Sequence, residues 1–286
     1  MQTDHLIRIF TRKIIADSGK HERFKLIKGN EEKMVIDIEN QVAIVTGGSR
    51  GIGAAAAIML AKAGANVIFT YNNNEQAAKE VHDEIVSLGR KCIMMKANVS
   101  RPKNAKKVAE KAIQKFGQID ILVNNAGIWT YGEIGKISEE VWHETMEINL
   151  DGTFYMINAV VPYMKKRHFG KIINISSTAG QRGEAFHSHY AATKGAIISL
   201  TKSLSTELGV YNINVNSVAP GWVKTDMSME ALRNPRLMDE VVKGIPLGRI
   251  PSGDDIAGPI LFLASDLARH ITGEILNVNG GSVLVG

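Results

Sequence analysis

Short, nearly continuous apolar runs alternate with longer amphipathic stretches from Gln41 to the C-terminus. The runs are rich in β-branched residues, a pattern typical of strands that are buried on both faces. It predicts strands over residues 41–46, 66–71, 91–95, 119–127, 171–177, 212–221 and 274–281. The intervening stretches predict helices over residues 51–64, 75–88, 102–116, 139–167 and 189–209. Pro162 should bend or break the fourth of these helices, because proline lacks a backbone N–H.

Strands that alternate with helices in this way predict a parallel sheet with helices on both faces. We therefore expect an α/β fold over residues 39–286, namely a single doubly wound Rossmann-type domain with about seven parallel strands. Residues 1–38 have mixed charges and no clear period, and we interpret them as an N-terminal extension. This extension lacks the apolar core of a secretory signal, and its acidic residues are unusual in an organelle transit peptide.

The composition excludes several functional classes. Of the 286 residues, 44% are hydrophobic and 22% are charged, as in globular proteins. The net charge of +5 comes from lysines and arginines spread along the chain, which disfavours a nucleic-acid partner. No apolar run approaches the length of about 18 residues that a membrane span needs. The single cysteine, Cys92, excludes an internal disulfide, and we expect no metal site and a cytoplasmic location.

The stretch TGGSRGIG at residues 46–53 lies where the first strand meets the first helix. Gly47, Gly51 and Gly53 would let the backbone turn tightly and approach a phosphate. The start of the helix supplies free N–H groups and a partial positive charge. This position, at the start of a strand–helix–strand unit, favours a dinucleotide site over a simple turn.

The end of the second strand indicates which dinucleotide binds. An acid at this point would bind the ribose 2′-hydroxyl and reject a 2′-phosphate. Thr70, Tyr71 and the three asparagines that follow are uncharged, and the first acid is Glu75. Arg50, inside the glycine turn, offers a cation instead. The pattern favours NADP(H), with NAD(H) as the alternative.

A tyrosine and a lysine share one face of the last predicted helix. Because Tyr190 and Lys194 are four residues apart, the lysine should lie beside the phenol and lower its pKa. Such a tyrosine can exchange a proton with a carbonyl oxygen as a hydride reaches the carbon. Ser177, with Ser176 as its competitor, follows a strand at the edge of the sheet where ligands bind. Asn149 is an unfavourable residue for the middle of a helix.

Together these motifs resemble the short-chain dehydrogenase/reductase family, and most closely its 3-oxoacyl-[acyl-carrier-protein] reductase branch. The resemblance covers residues 39–286. It rests on TGGSRGIG (46–53), NNAG (124–127), INLDGTF (148–154), SSTAG (176–180), YAATK (190–194), APGWVKTDM (219–227) and ITGEILNVNGG (271–281).

The resemblance implies roles for individual residues. Tyr190 would be the general acid in carbonyl reduction, and Lys194 would lower its pKa and bind the nicotinamide ribose. Ser177 would polarise the substrate carbonyl, and Asn149 would hold a water of a proton relay. The implied substrate contacts are Ser177, Tyr190, His187 and Trp222. The implied cofactor-binding residues are Gly47, Ser49, Arg50, Gly51, Ile52, Gly53, Tyr71, Asn98, Val99, Asn125, Ala126, Gly127, Tyr190, Lys194, Pro220, Gly221, Val223 and Thr225.

The implied activity is NADPH-dependent reduction of a carbonyl to a secondary alcohol, with a 3-oxoacyl thioester of acyl carrier protein or coenzyme A as substrate. Arg167 would contact acyl carrier protein, although Tyr211 occupies the family's second basic position. Residues 222–250 would form a mobile lid, and the C-terminal stretch would form the interface of a homotetramer. Asn98 and Asn279 each replace a common aspartate, and the amide oxygen of Asn98 can still accept a hydrogen bond from adenine.

Two other interpretations stay open from the sequence. Within the family, the chain could be a glucose 1-dehydrogenase-like enzyme or another sugar, polyol or ketone oxidoreductase. Outside the enzymes, it could be a catalytically silent NADP(H)-binding sensor or a supporting subunit. The intact set of catalytic residue types argues against the second interpretation.

Overall fold

The computed structural model describes residues 36–285, so most of the predicted N-terminal extension lies outside the described residues. The described chain forms a seven-stranded parallel sheet in the order β3-β2-β1-β4-β5-β6-β7. The strands are β1 (Val42–Val45), β2 (Asn66–Tyr71), β3 (Cys92–Lys96), β4 (Ile121–Asn124), β5 (Gly170–Ile175), β6 (Ile213–Pro220) and β7 (Ile275–Val278). Each strand overlaps a run predicted from the sequence, and the predicted fold class is confirmed.

Helices connect the strands. They are α1 (Gly51–Lys62), α2 (Glu75–Ser87), α3 (Pro102–Phe116), α4 (Glu139–Met146), α5 (Gly152–Arg167), α6 (Thr178–Arg182), α7 (Ser188–Leu208), α8 (Asp226–Leu232), α9 (Pro235–Lys243) and α10 (Gly253–Ala264). A π-helical turn (Glu147–Asp151) joins α4 to α5, and 3₁₀ turns follow α7 (Gly209–Tyr211) and α10 (Asp266–Ala268). Among residues 36–285, no helix combines the length and apolar character that crossing a membrane requires.

The helices form a layer on each face of the sheet. α1 packs against α2 and α10 on one face, whereas α3 packs against α5 on the other, where α7 covers β6. Because successive strand residues point to opposite faces, every second residue faces a given layer. Ile44, Leu122 and Ile172 point from three strands into the layer of α5, where they form a fully buried cluster with Val160 and Met164. Burial of such side chains is the main stabilising contribution to the fold.

The strand order changes direction between β1 and β4. β2 and β3 extend the sheet on one side of β1, and β4 to β7 extend it on the other. At such a point the loops after the two neighbouring strands separate and leave a crevice at the carboxyl ends of the strands. The segments that follow β1, β4, β5 and β6 all line a cavity at this crevice.

The long helix predicted at 139–167 is interrupted, but not at the expected residue. α5 continues through Pro162 to Arg167, so the helix does not break at the proline. Packing of α5 in the core outweighs the one hydrogen bond that the proline ring removes. The regular α-helix is lost instead in the π-helical turn, which contains the fully buried Asn149. The sequence pattern also gave no indication of α6, α8, α9 or α10.

Candidate active site

A cavity of about 550 Å³ runs from the glycine turn after β1 to the start of α7. The predicted site residues that line it are Gly47, Ser49, Arg50, Gly51, Ile52, Tyr71, Asn98, Val99, Asn125, Ala126, Gly127, Ser177, Tyr190, Lys194, Pro220, Gly221, Trp222, Val223 and Thr225. Gly53, Asn149 and His187 are not among the lining residues. The structure thus brings the predicted cofactor-binding residues and the predicted catalytic residues to one cavity.

The glycine turn requires glycine at three positions. Gly47 and Gly51 have φ angles of 64° and 57°, in the left-handed region that side chains disfavour. A Cβ atom on Gly53 would lie 2.2 Å from the carbonyl oxygen of Gly47. No side chain caps the start of α1 at Arg50, so the N–H groups of its first turn are free of a side-chain partner. This geometry leaves a cradle of N–H groups that suits a phosphate.

The loop after β4 holds the glycine turn in place. The Thr46 hydroxyl oxygen accepts hydrogen bonds from the N–H groups of Asn125 and Ala126 at 2.9 and 3.0 Å. The Asn125 side chain donates to the carbonyl oxygens of Thr46 and Gly47 at 3.0 and 3.1 Å. These bonds fix the two loops that border the crevice relative to each other.

Arg50 lies at the nucleotide end of the cavity. Its Nη1 lies 3.3 Å from Oδ2 of Asp226, the first residue of α8, and both side chains are exposed. An exposed pair of this kind is weak, so the guanidinium can exchange its partner for a phosphate. At the end of β2, residues 72–74 line the cavity with uncharged amides, and Asn74 caps α2 by accepting from the Ala77 N–H at 3.0 Å.

The two asparagines at common aspartate positions both hold local turns. Asn98 Oδ1 accepts from the N–H of Ser100 at 3.0 Å, which leaves its second acceptor position for another donor. Asn279 Oδ1 accepts from the N–H of Gly281, and its Nδ2 donates to the carbonyl oxygen of Val283, both at 2.9 Å. Asn279 therefore closes a C-terminal turn and does not line the cavity of the candidate active site.

The structure distinguishes the two serines that follow β5. The Ser176 hydroxyl donates to the carbonyl oxygen of Val218 at 3.1 Å and accepts from Ser217 at 2.8 Å, so the sheet satisfies it. The Ser177 oxygen accepts from the N–H of Ala179 at 3.1 Å, at the start of α6. Its hydroxyl also forms a hydrogen bond with Tyr190, which brings the two side chains together at the cavity.

Tyr190 and Lys194 have strongly shifted pKa values. Burial raises the pKa of Tyr190 to about 12, although a hydrogen bond with Ser177 acts in the opposite direction. Lys194 Nζ lies 5.6 Å from the centre of the Tyr190 ring and donates to the carbonyl oxygen of Ile175 at 2.7 Å. Burial lowers the pKa of Lys194 to about 8. The predicted lowering of the tyrosine pKa is wrong, because loss of water around the phenol outweighs the hydrogen bond with Ser177, and the nearby Glu184 raises the pKa further.

Asn149 ties the loop after β4 to α7. Its Oδ1 accepts from the N–H of Ile128 at 2.8 Å, and its Nδ2 donates to the Ile128 carbonyl oxygen at 2.9 Å and to the Thr193 hydroxyl at 3.3 Å. A Cβ atom on Gly127 would lie 3.1 Å from Asn149 Oδ1 and 3.7 Å from Lys194 Nζ. Because Gly127 has no side chain, Asn149 and Lys194 can both approach this point of the loop.

Glu184 lines the catalytic end of the cavity, and sequence reasoning missed it. Burial raises the pKa of its carboxyl, while the neighbouring His187 and a hydrogen bond from Trp129 act in the opposite direction. His187, which was predicted to contact substrate, stacks on Trp129 of the lining with ring centres 4.2 Å apart. An acid and a histidine three residues apart, between Ser177 and Tyr190, were the available signal in the sequence.

His189, next to Tyr190, does not face the cavity. It is fully buried, and its Nε2 lies 2.9 Å from the Thr130 hydroxyl oxygen. Burial lowers its pKa, and the nearby His187 adds to this effect. Within the described part of the chain, no three histidine, cysteine or acidic side chains are grouped so that they could hold a metal ion.

Arg167, the predicted contact for acyl carrier protein, forms an ion pair at the opposite edge of the sheet. Its Nη1 lies 2.7 Å from Oδ1 of Asp120, whose side chain is 2% exposed. Asp120 Oδ2 also accepts from the N–H of Val42 at 2.8 Å and from Gln118 at 2.7 Å. The arginine therefore has a structural partner, which the sequence could not reveal because Asp120 is 47 residues away.

The sheet order, the glycine turn and the Ser–Tyr–Lys group in one cavity define a dinucleotide-dependent dehydrogenase or reductase. Comparison with known proteins agrees with this class. A family profile described as enoyl-(acyl carrier protein) reductase matches residues 47–282. The chain belongs to the short-chain dehydrogenase/reductase family and is an oxidoreductase.

Relatives in this family cover nearly the whole described chain. The chain is 40% identical over 242 residues to a 3-oxoacyl-[acyl-carrier-protein] reductase of Staphylococcus epidermidis. The aligned region covers 85% of this chain and 98% of the relative. The chain is 39% identical over 245 residues to the enzyme of that name from Synechocystis, in an aligned region that covers 85% of this chain and 97% of that relative. A solved structure described as a short-chain alcohol dehydrogenase from Sinorhizobium meliloti matches with a TM-score of 0.83 and 32% identity, covering 86% and 97% of the two chains.

Proposed function

We propose that this protein uses NADPH to reduce a 3-oxoacyl thioester of acyl carrier protein or coenzyme A to the 3-hydroxyacyl thioester. The observation that carries the proposal is the single cavity, which holds a phosphate cradle at one end and Ser177, Tyr190 and Lys194 at the other. Relatives that share about 40% of its residues are named for this reaction. We also propose a homotetramer, as the resemblance of the C-terminal stretch to the family's subunit interface implies.

A dinucleotide fits the residues of the cavity. Gly47, Gly51 and Gly53 let the turn pack closely against neighbouring atoms that a Cβ atom would meet, and the uncapped start of α1 offers N–H groups to a pyrophosphate. Arg50 would bind the 2′-phosphate, since residues 72–74 bring no acid to this end. When bound, NADPH supplies the hydride for the carbonyl carbon.

The residues at the catalytic end would handle the proton. A pKa of about 12 keeps the Tyr190 phenol protonated at neutral pH, as a donor to the carbonyl oxygen must be. The Ser177 hydroxyl, now hydrogen-bonded to Tyr190, would donate to the same oxygen and hold it in place. Lys194 would hold the nicotinamide ribose through its buried ammonium. Asn149 would position Lys194 through the loop at Gly127 and Ile128.

The direct test is the initial rate of NADPH and NADH oxidation with acetoacetyl-CoA, followed by absorbance. We expect turnover with NADPH preferred. Tyr190→Phe should abolish turnover and keep NADPH binding, measured by titration of the bound cofactor. Turnover that survives in this variant would refute the assignment of Tyr190, and wild-type protein that binds NADPH but reduces no 3-oxo thioester would refute the proposed substrate.

Glu184 favours a second candidate, oxidation of a sugar or polyol. Its carboxylate is an acceptor at the catalytic end, where a polyol would present a second hydroxyl but a 3-oxoacyl thioester presents no donor beside the reacting carbonyl. A parallel assay with glucose and NADP⁺ or NAD⁺ tests this candidate. Activity with glucose and none with the thioester would select it over the first.

A further inference from the structure

We propose that a row of aromatic side chains leading out of the cavity binds the acyl tail of the substrate. The row, here called the aromatic strip, consists of Trp222, Trp129, His187, Tyr131 and Phe186. The proposal rests on the proposed thioester reductase function and assigns one arm of that substrate to a defined surface.

The aromatic strip is continuous from the cavity to the solvent. Neighbouring ring centres lie 5.7 Å apart for Trp222 and Trp129, 4.2 Å for Trp129 and His187, 6.0 Å for His187 and Tyr131, and 5.5 Å for Tyr131 and Phe186. The two tryptophans line the cavity. Tyr131 and Phe186 are 65% and 54% exposed. A chain that starts at the catalytic residues can therefore leave the cavity along the rings.

Backbone contacts join the two loops that carry the outer rings. The N–H of Gly132 donates to the carbonyl oxygen of Phe186 at 2.7 Å, and Gly132 forms a parallel β-bridge with His187. His187 Nδ1 lies 3.1 Å from the carbonyl oxygen of Ala185, and because a carbonyl can only accept, this nitrogen carries the proton. The two loops that bear the strip are thus linked before any ligand arrives, which reduces the entropy lost on binding.

Phe186 adopts an unfavourable backbone conformation. Its φ angle is 63°, in the left-handed region that a phenylalanine rarely occupies. The same residue places a large apolar ring in solvent. Strained backbone at the mouth of an active site usually serves the function of that site. An apolar ligand that covers the ring would account for its exposure.

The acyl tail suits the strip better than the thioester arm does. The amide groups of a pantetheine arm need hydrogen-bond partners when they leave water. Ring faces offer dispersion contacts to methylene groups but few hydrogen bonds, and the polar group of Trp129 is already engaged with Glu184. Arg182, which also lines the cavity, offers charged donors that suit the polar arm.

The test compares substrates of different tail length. We expect the wild-type kcat/KM to rise from four-carbon through eight-carbon to twelve-carbon 3-oxoacyl-CoA, because each methylene moved onto the rings contributes up to about fourfold. Phe186→Gly and Tyr131→Ala should each lower kcat/KM for the twelve-carbon substrate about tenfold and leave the four-carbon value within about twofold. Phe186→Gly should not lower the unfolding temperature, since glycine accepts the φ angle without strain.

A matched control is His168→Gly. This residue also has a left-handed backbone, with a φ angle of 49°, but it lies at the end of α5, away from the cavity. It should leave the dependence on tail length unchanged. An unchanged dependence in Phe186→Gly and Tyr131→Ala would overturn the proposal. A loss of kcat/KM that is equal at every tail length would also overturn it. The same holds for a loss seen with coenzyme A thioesters but not with N-acetylcysteamine thioesters. Either result would place the polar arm of the substrate, and not its tail, on the strip.

Binding of acyl-CoA molecules without a 3-oxo group separates this proposal from the proposed function. Dodecanoyl-CoA should bind more tightly than butanoyl-CoA, and Phe186→Gly should remove most of the difference. If the wild-type protein reduces no 3-oxo thioester, the proposed function fails. The role of the aromatic strip is then judged by binding alone. An affinity that rises with tail length would support it, and an affinity that does not depend on tail length would overturn it.

Discussion

Replacing Lys194 with methionine should stabilise the cofactor-free protein at neutral pH and abolish its reductase activity. The Lys194 side chain is 5% exposed, and its hydrogen bond goes to the backbone carbonyl of Ile175. Burial lowers the pKa of Lys194 from 10.5 to about 8, which means that the folded state disfavours the charged form. Methionine has a similar length and removes the charge.

The magnitude follows from the shift in pKa. One pKa unit corresponds to about 1.4 kcal/mol, so the buried ammonium costs the folded state about 3 kcal/mol at pH 7. The variant leaves the Ile175 carbonyl without its donor, which costs about 1 kcal/mol. The expected net gain for Lys194→Met is about 2 kcal/mol in the free energy of unfolding.

The pH dependence has a definite sign. Below pH 8 the lysine is protonated in both states, so the wild type carries the full cost. Between the folded pKa of about 8 and the unfolded value of 10.5, the unfolded state binds more protons, and wild-type stability rises with pH. The advantage of Lys194→Met should therefore be largest near neutral pH and shrink above pH 8.

Urea unfolding of the cofactor-free wild type and variant, at neutral pH and near pH 9.5, measures this difference. The matched control is Lys171→Met, because Lys171 is also buried with a lowered pKa but lies at the start of β5, away from the cavity. It should keep reductase activity. A Lys194→Met variant that is less stable than wild type at neutral pH, or whose advantage does not change with pH, would refute the reasoning.

Three further changes test other parts of the structure. Arg50→Ala should raise the KM for NADPH about tenfold and leave the KM for NADH nearly unchanged in steady-state assays. Gly53→Ala should prevent cofactor binding, because its Cβ would lie 2.2 Å from a carbonyl oxygen of the glycine turn. Its control is Gly258→Ala on α10, where a Cβ would meet no atom within 4 Å, and this variant should bind the cofactor normally in the same titration. Arg167→Met should lower the free energy of unfolding by about 1–3 kcal/mol, since it leaves the buried Asp120 without its cation, and should leave the KM for acetoacetyl-CoA unchanged.

The sequence predicted the sheet and most of its helices because these elements carry a regular apolar pattern. Every strand lies within about two residues of its predicted start. The break in the long helix was misplaced, because a local rule about Pro162 ignored the packing that holds α5 together. The π-helical turn around Asn149 depends on bonds to Ile128 and Thr193, and no local pattern encodes them.

Motif spacing predicted which residues would meet in the cavity, but not their electrostatics. The spacing of Tyr190 and Lys194 predicted their proximity, whereas the direction of the tyrosine pKa depends on how much water the whole fold excludes. Glu184 was missed for a related reason, since its place in the lining depends on loops that pack only in the folded chain. The ion pair of Arg167 with Asp120 was not predicted, because Asp120 precedes a different strand.

Two buried lysines at opposite ends of β5 show where the chain leaves a charge without compensation. Lys171, near the start of the strand, donates to the side chain of Asn214 at 2.7 Å, and the charge of Asp266 raises its pKa against the effect of burial. Lys194 donates to the carbonyl of Ile175 at the end of the strand, and burial is the cause of the shift in its pKa. A buried cation with so little support costs stability, so its position beside a cavity is an argument for function that does not depend on motif matching. A ligand that brings hydroxyl oxygens to this ammonium would supply the acceptors that the fold withholds.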